Sequence, residues 1–166
     1  MIQRQAKNKN MKGLQLEDGT IKIFSRVPKS FGKIIGGFNS LSSSELENYG
    51  FYDIVTPVIK ESQKLGAIEW DSDNSVFTYP VENKEFSQSL AEMKAQKIEN
   101  LKFIYGQELA KTDWIIIRDQ ELGNTTDSDV LTARAALRTN CATKETAING
   151  KTTKAYVADY SLPSFR

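Results

Sequence analysis

In the first half of the chain, apolar and polar residues alternate with the period of two that is typical of strands. Residues 14–24, LQLEDGTIKIF, carry two alternating runs on either side of Asp18 and Gly19. Because Asp-Gly supplies the positive φ angles of a type I′ turn, this pattern predicts a β-hairpin. Three further strands are predicted at residues 51–59, interrupted by Pro57, at 65–70 and at 76–81, with the polar run DSDN (71–74) as the turn before the last.

A short helix is predicted between the hairpin and these strands. Ser42 to Glu45 and Ser44 to Glu47 both match S-x-x-E, in which the hydroxyl accepts from free N–H groups and the glutamate bonds back to the cap. The helix should run from about Ser44 to Tyr49 and end at Gly50. Together with the strands it makes a small hairpin-containing α+β module at residues 13–84.

After Lys84 the apolar period changes from two to about 3.6, which predicts helices over residues 85–150. A long first helix carries the stripe Phe86, Leu90, Met93, Ile98, Leu101, Tyr105 and Leu109. A second helix should begin near Thr126 or Asp127 and end at Asn149-Gly150. Its inward positions are predicted to be Val130, Ala133, Leu137, Cys141 and Ile148.

The two ends have too little apolar surface to order themselves. Residues 1–12 form a basic stretch with Arg4, Lys7, Lys9 and Lys12 and no acid, so we predict an extended arm that orders on a partner and whose removal leaves the folded domain intact. Residues 151–166 are predicted to be an extended tail with one short strand in KAYVADY. The fold class is therefore α+β, with a β module, a long helix, a second helix and extended termini.

Composition excludes several common classes of function. Histidine is absent and there is one cysteine, Cys141, which removes the usual general base, the usual partner of a nucleophile and the commonest metal ligand. A net charge of +1 gives no global field for nucleic acid. Apolar runs fall short of the about 20 residues that span a bilayer, and the polar N-terminus lacks a signal-peptide core. We therefore expect a soluble, non-enzymatic protein without metal or cofactor.

One local pattern resembles a ligand-binding motif, but a structural role explains it better. Asp71, Asp73, Ser75 and Glu82 match EF-hand positions 1, 3, 5 and 12, but Val76 stands where the loop needs glycine. We therefore interpret the segment as a turn.

Two further groups of basic residues could suggest a ligand or nucleic acid, and we interpret both otherwise. Lys97 and Arg134 lie near apolar stripes, and we interpret both as snorkelling side chains. The basic arm contains no aromatic residue to stack on bases, so we favour a protein partner over nucleic acid.

Two stretches resemble known phage proteins. Residues 28–81, with GFY at 50–52, QKLG at 63–66 and FTYPV at 77–81, resemble small domains of phage tail and tail-fibre-associated proteins. Residues 108–138, with L-x-x-TDW-x-x-x-R followed by R-x-x-LR, are similar to a segment of phage tail-fibre assembly proteins, which act as tail assembly chaperones. The basic arm and the C-terminal extension depart from the chaperone pattern.

The resemblance implies a non-catalytic structural subunit of a phage tail, tail fibre or baseplate, made in the host bacterial cytoplasm and carried in the virion. Its partners would be other tail proteins in an oligomeric assembly. Two alternatives stay open: a tail-fibre assembly chaperone absent from the mature particle, and a small hydrolase that works without histidine. The residues predicted to bind partners are Arg4, Lys7, Lys9, Lys12, Trp114, Pro163 and Phe165.

Overall fold

A β module precedes long helices, so the predicted α+β class is confirmed. The computed structural model describes the backbone of residues 6–165 and the side chains of residues 11–165. The chain divides into two units, residues 1–84 and 85–166.

The strands belong to the N-terminal unit. Their bounds are β1 Ala6–Gln15, β2 Ile21–Phe24, β3 Tyr52–Thr56, β4 Gln63–Leu65, β5 Glu69–Asp71, β6 Val76–Thr78 and β7 Val81–Asn83. In the described part of the chain, five of them form a sheet in the order β2-β1-β3-β6-β5, and β4 pairs with β7 separately. Only the β3–β6 pairing in the larger sheet is parallel.

The hairpin of β1 and β2 is confirmed, but its predicted turn type is wrong. The ladder closes at Gln15↔Ile21, so five residues form the loop. A type I′ turn needs positive φ at both central residues, and only Gly19 has it, at φ 84°. Asp18 instead uses its carboxylate, which accepts from Thr20 N at 2.8 Å and has a lowered pKa because of the backbone and side-chain hydrogen bonds to Thr20.

The prediction of a separate arm over residues 1–12 is wrong where the structure describes it. Residues 6–12 belong to β1, which lies between β2 and β3, with Ala6 paired to Thr56 and Lys12 paired to both Phe24 and Asp53. Backbone hydrogen bonds to β2 and β3 order this segment, although its composition offers little apolar surface. Removing these residues would therefore remove most of an interior strand.

The strands predicted at 65–70 and 76–81 are each divided in two. Pro80 has no N–H to donate and interrupts the second, while Gly66 N donates to the Pro80 carbonyl at 2.8 Å. A Cβ on Gly66 would lie 2.8 Å from Pro80 Cγ, so the segments around Gly66 and Pro80 approach each other closely. The DSDN turn between β5 and β6 is confirmed.

The predicted short helix is confirmed as α1, Ser43–Glu47, with a capping box between Ser42 and Glu45. It follows a 3-10 turn at Phe38–Ser40. Phe38, Leu46 and Phe51 form the buried core beside it.

The sheet adds its own buried apolar side chains to this unit. They are Ile54, Val55 and Phe77. Phe77 covers Gly13 so closely that a Cβ there would lie 2.4 Å from the ring.

The C-terminal unit contains α2 Leu90–Ala110, α3 Asp113–Leu122, α4 Ser128–Asn149 and α5 Lys154–Ala158. The predicted apolar stripe is confirmed from Leu90 to Leu109 as the buried or half-buried face of α2, but Phe86 is wrong as a helical position because Ser89 caps the helix after it. Asp127 caps α4 and Gly150 ends it, as predicted. Of the inward positions predicted on α4, Ala133 is wrong because it is exposed.

Two helices of this unit were not predicted. α3 occupies a stretch with no assigned element, and α5 replaces the strand predicted in KAYVADY. Thr153 caps α5 by accepting from Tyr156 N at 3.2 Å, and Lys154 Nζ donates to the Phe86 carbonyl at 2.9 Å.

The prediction that the tail needs an outside partner to order is also wrong for the described residues. Leu101, Tyr105 and Ile148 form the buried core, and Tyr160 and Leu162 pack against it. The Phe165 ring meets Tyr105 edge-on at 5.2 Å between centroids. The tail therefore docks on its own unit.

None of the helices in the described part combines the length and the apolar character needed to cross a bilayer.

Candidate functional site

Arg134 organises the junction between α2, α3 and α4. Its guanidinium donates to the Leu109 carbonyl at 2.7 Å, to Thr112 Oγ1 at 2.6 Å and to Asp113 Oδ1 at 2.7 Å. The arginine is 8% exposed. It joins the end of α2 and the start of α3 to the middle of α4, so Leu109, Thr112, Asp113 and Arg134 have a structural role.

The interpretation of Arg134 as a snorkelling side chain is therefore wrong. Its head group is buried, because a planar fork with five donors satisfies several acceptors at once. A signal was present in the sequence: an arginine lies between Val130 and Leu137 on the apolar face of α4, and burial there needs an acid such as Asp113.

Trp114 lies on the outer side of α3, immediately after this junction. It is 58% exposed, and the Arg118 guanidinium stacks over its ring at 5.1 Å. Arg118 also donates to Asp119 Oδ1 from Nε at 3.0 Å and from an Nη at 2.7 Å. Asp119 is buried, and its hydrogen bonds hold the Arg118 guanidinium in place over the Trp114 ring.

Ile117 and Leu122 extend this exposed surface, since both are more than half exposed. Residues 114, 118 and 122 follow each other at i, i+4 and i+8, and 117 is the i+3 neighbour of 114, so they share one side of the helix. We call Trp114, Ile117, Arg118 and Leu122 the α3 face. A surface of this kind, aromatic and arginine together, is typical of protein–protein contacts.

The basic residues predicted to bind partners do not form an exposed arm where the structure describes them. Arg4 lies outside the described residues, and only the backbone of Lys7 and Lys9 is described, within β1. Lys12 is 7% exposed, and its Nζ lies 3.0 Å from Asp53 Oδ1. Lys12 is therefore not part of an exposed arm.

The C-terminal candidates belong to the unit that carries the α3 face. Pro163 is half-buried. Phe165 contacts Tyr105 of α2, so part of its ring is used within the chain.

The turn that matches EF-hand spacing uses its first carboxylate internally. Asp71 accepts from Asp73 N, Asn74 N and Asn74 Nδ2 at 3.1, 3.2 and 2.8 Å. The Asn74 side chain contributes most to lowering the pKa of Asp71. Across the described side chains of residues 11–165, no group of three or more His, Cys, Asp or Glu is placed to hold a metal ion.

Cys141 faces a small cavity between α2 and α4. The cavity has a volume of about 250 Å³, and Tyr105, Gly106 and Leu109 contribute to its wall. Burial raises the pKa of both the Cys141 thiol and the Tyr105 hydroxyl. A raised thiol pKa lowers the thiolate fraction, which is the reactive form.

Comparison of the chain with protein-family models, with curated proteins and with solved structures finds no match.

Proposed function

We propose that this chain is a non-catalytic structural component of a bacteriophage tail, which binds other tail proteins through the α3 face. The supporting observation is the exposed Trp114 with Arg118 stacked on its ring. The phage-like segment at residues 108–138 supplies the tail context, because it contains Trp114, Arg118 and the Arg134 junction.

The α3 face is suited to binding because its parts are already ordered. Immobilising a side chain on association costs about 0.5 to 1.5 kcal/mol, and a side chain held in advance avoids this cost. Arg118 is held by Asp119 and by the Trp114 ring, while Arg134 fixes the start of the helix. Trp and Arg are also the residues in which binding energy is concentrated.

Mass spectrometry of purified particles from the phage that encodes the chain tests the resident role. We expect the chain in finished virions. Its presence in infected cells and absence from virions would support the assembly-chaperone alternative and overturn the proposal.

A pair of variants tests the α3 face. Trp114→Ala should reduce incorporation into particles, with a loss of affinity of about 30-fold if Trp114 is a hot spot. Phe103→Ala is the matched control, because Phe103 is an equally exposed aromatic on α2 and should leave incorporation unchanged. Normal incorporation of Trp114→Ala would exclude the α3 face as the binding surface.

A further inference from the structure

A basic cavity lies in the N-terminal unit, independent of the α3 face. It has a volume of about 670 Å³, and its polar lining consists of Lys12 from β1, Arg26 and Lys29 from the segment after β2, and Asn39. Leu46 of α1 contributes apolar wall. Cavities of about 300 to 1,000 Å³ are the size that small ligands occupy.

The charge of this cavity is one-sided. None of the described residues that line it is acidic, and three are cations. Lys12 is compensated by Asp53, whose Oδ1 lies 3.0 Å from Lys12 Nζ. Lys12, Arg26, Lys29 and Asp53 therefore leave a net charge of +2 at the cavity.

Lys12 has hydrogen-bonding capacity that the described residues do not use. Its ammonium has three N–H donors and no acceptor. The Asp53 carboxylate lies within ion-pair distance, but Nζ has no well-aligned hydrogen bond in the described structure. Because a buried charge is normally both paired and hydrogen-bonded, Lys12 Nζ keeps donors that can serve a further acceptor.

Arg26 and Lys29 are also available. Within the part of the chain that the structure describes, neither side chain has a hydrogen-bond or ion-pair partner. Their backbone is nevertheless held, since the Lys29 carbonyl accepts from Phe38 N at 3.0 Å and Ser30 Oγ accepts from Gly36 N at 2.9 Å. Both side chains are exposed, and two cations held on one segment favour an anion.

We propose that this cavity binds the phosphoryl group of a small phosphorylated ligand. A phosphoryl dianion carries two charges and three terminal oxygens, which match a net charge of +2 and three separate cations. A carboxylate offers one charge and two oxygens. Arg26 supplies the planar fork that suits a tetrahedral oxyanion, and Lys12 and Lys29 supply point charges.

Isothermal titration of the full chain with pyrophosphate tests the site, with citrate as a carboxylate probe of comparable charge. We expect saturable binding of pyrophosphate at one site and weaker binding of citrate. Absence of saturable pyrophosphate binding, or tighter binding of citrate, overturns the phosphoryl assignment.

Variants locate the binding. The double variant Arg26→Ala/Lys29→Ala should weaken pyrophosphate by at least about tenfold, as expected when charged hydrogen bonds are lost. Lys33→Ala is the matched control, because Lys33 is an exposed cation of the same loop outside the cavity. Equal weakening by the control, or unchanged affinity in the double variant, overturns the site.

A second variant separates the buried ammonium from the surface cations. Lys12→Met keeps the shape of the stem and removes the charge, and it should weaken pyrophosphate at least as much as loss of Arg26 and Lys29. Thermal melting of each variant verifies folding, and the Arg26→Ala/Lys29→Ala result decides the proposal if Lys12→Met is unstable. A folded Lys12→Met variant with full affinity overturns the role of Lys12.

Discussion

Lys12 in the N-terminal unit and Arg134 in the C-terminal unit are buried to almost the same degree, at 7% and 8% exposure. Each pairs with a partly exposed aspartate, Asp53 or Asp113. Arg134 makes three short hydrogen bonds to its own chain, whereas Lys12 makes no aligned one among the described residues. Unused hydrogen-bonding capacity, rather than burial, separates the cation that holds the fold from the cation that is available to a ligand.

The difference follows from the chemistry of the two side chains. A guanidinium presents five donors in a plane and reaches a carbonyl, a hydroxyl and a carboxylate from one position. An ammonium is a point charge at the end of a flexible stem. A buried arginine is therefore more easily satisfied by a helix junction than a buried lysine is by a strand.

The largest loss in the free energy of unfolding is expected in the apolar core of the C-terminal unit, and the effect of the Arg134 junction can be compared with it. Leu101 is fully buried between its neighbours, so Leu101→Ala should lower the free energy of unfolding by about 2 to 5 kcal/mol. Urea denaturation measures this loss. A change below about 0.5 kcal/mol would show that α2 does not use this face for packing.

Arg134→Met should cost about 3 kcal/mol, because three hydrogen bonds from a charged group are lost together. Arg138→Ala, which changes an exposed arginine one turn along α4, is the control and should cost little. Equal effects of the two substitutions in urea denaturation would mean that the junction does not stabilise the unit.

Lys12→Met should change stability by less than about 1 kcal/mol, since the ammonium is incompletely bonded and Asp53 is 41% exposed and remains hydrated without it. The same denaturation assay gives the value. A loss as large as that of Arg134→Met would contradict the distinction drawn between the two cations.

The smallest expected effects concern the two capping boxes, one in each unit. The side-chain and backbone hydrogen bonds to Ser42 lower the pKa of Glu45, and the backbone and side-chain hydrogen bonds to Ser89 lower the pKa of Glu92. A carboxyl whose folded pKa is depressed adds stability above its unfolded pKa, and this stability is lost as pH falls through the folded pKa. The window therefore lies below the ordinary glutamate value of 4.5.

Glutamine keeps a hydrogen bond in a capping box without titrating in this window. The melting temperatures of Glu45→Gln and Glu92→Gln should therefore fall less than that of the parent chain as the medium is acidified from about pH 6 to about pH 3. If the melting temperatures of the parent and both variants fall equally over this pH range, the two glutamates do not titrate as stabilising contacts.

Helix ends were predictable because their signals are local. Asp127 and Gly150 bound α4 as the sequence indicates, and the S-x-x-E pattern located α1. α3 was missed because its IIIRDQEL stretch is rich in β-branched residues and has no stripe of its own. Its start is fixed by Arg134, more than twenty positions away along the chain.

Strand partners were less predictable because strand pairing joins residues that are far apart in the sequence. Nothing near Lys12 in the sequence indicates that it pairs with Asp53 or that the chain around it lies inside a sheet. The α3 face was reached in part, through Trp114. The basic cavity was missed because it is assembled from four separate segments of the N-terminal unit.

The contact between Phe77 and Gly13 has a consequence for folding during synthesis. β1 emerges from the ribosome first, but β3 pairs with it only after Thr56 is made, and Phe77 covers Gly13 about 20 residues later. At synthesis rates of about 5 to 20 residues per second, this interval lasts roughly one to four seconds. During that time β3 is paired with β1 on one side only, because its other partner β6 is not yet complete, so β3 is the strand most exposed to chaperones and to mispairing with neighbouring chains.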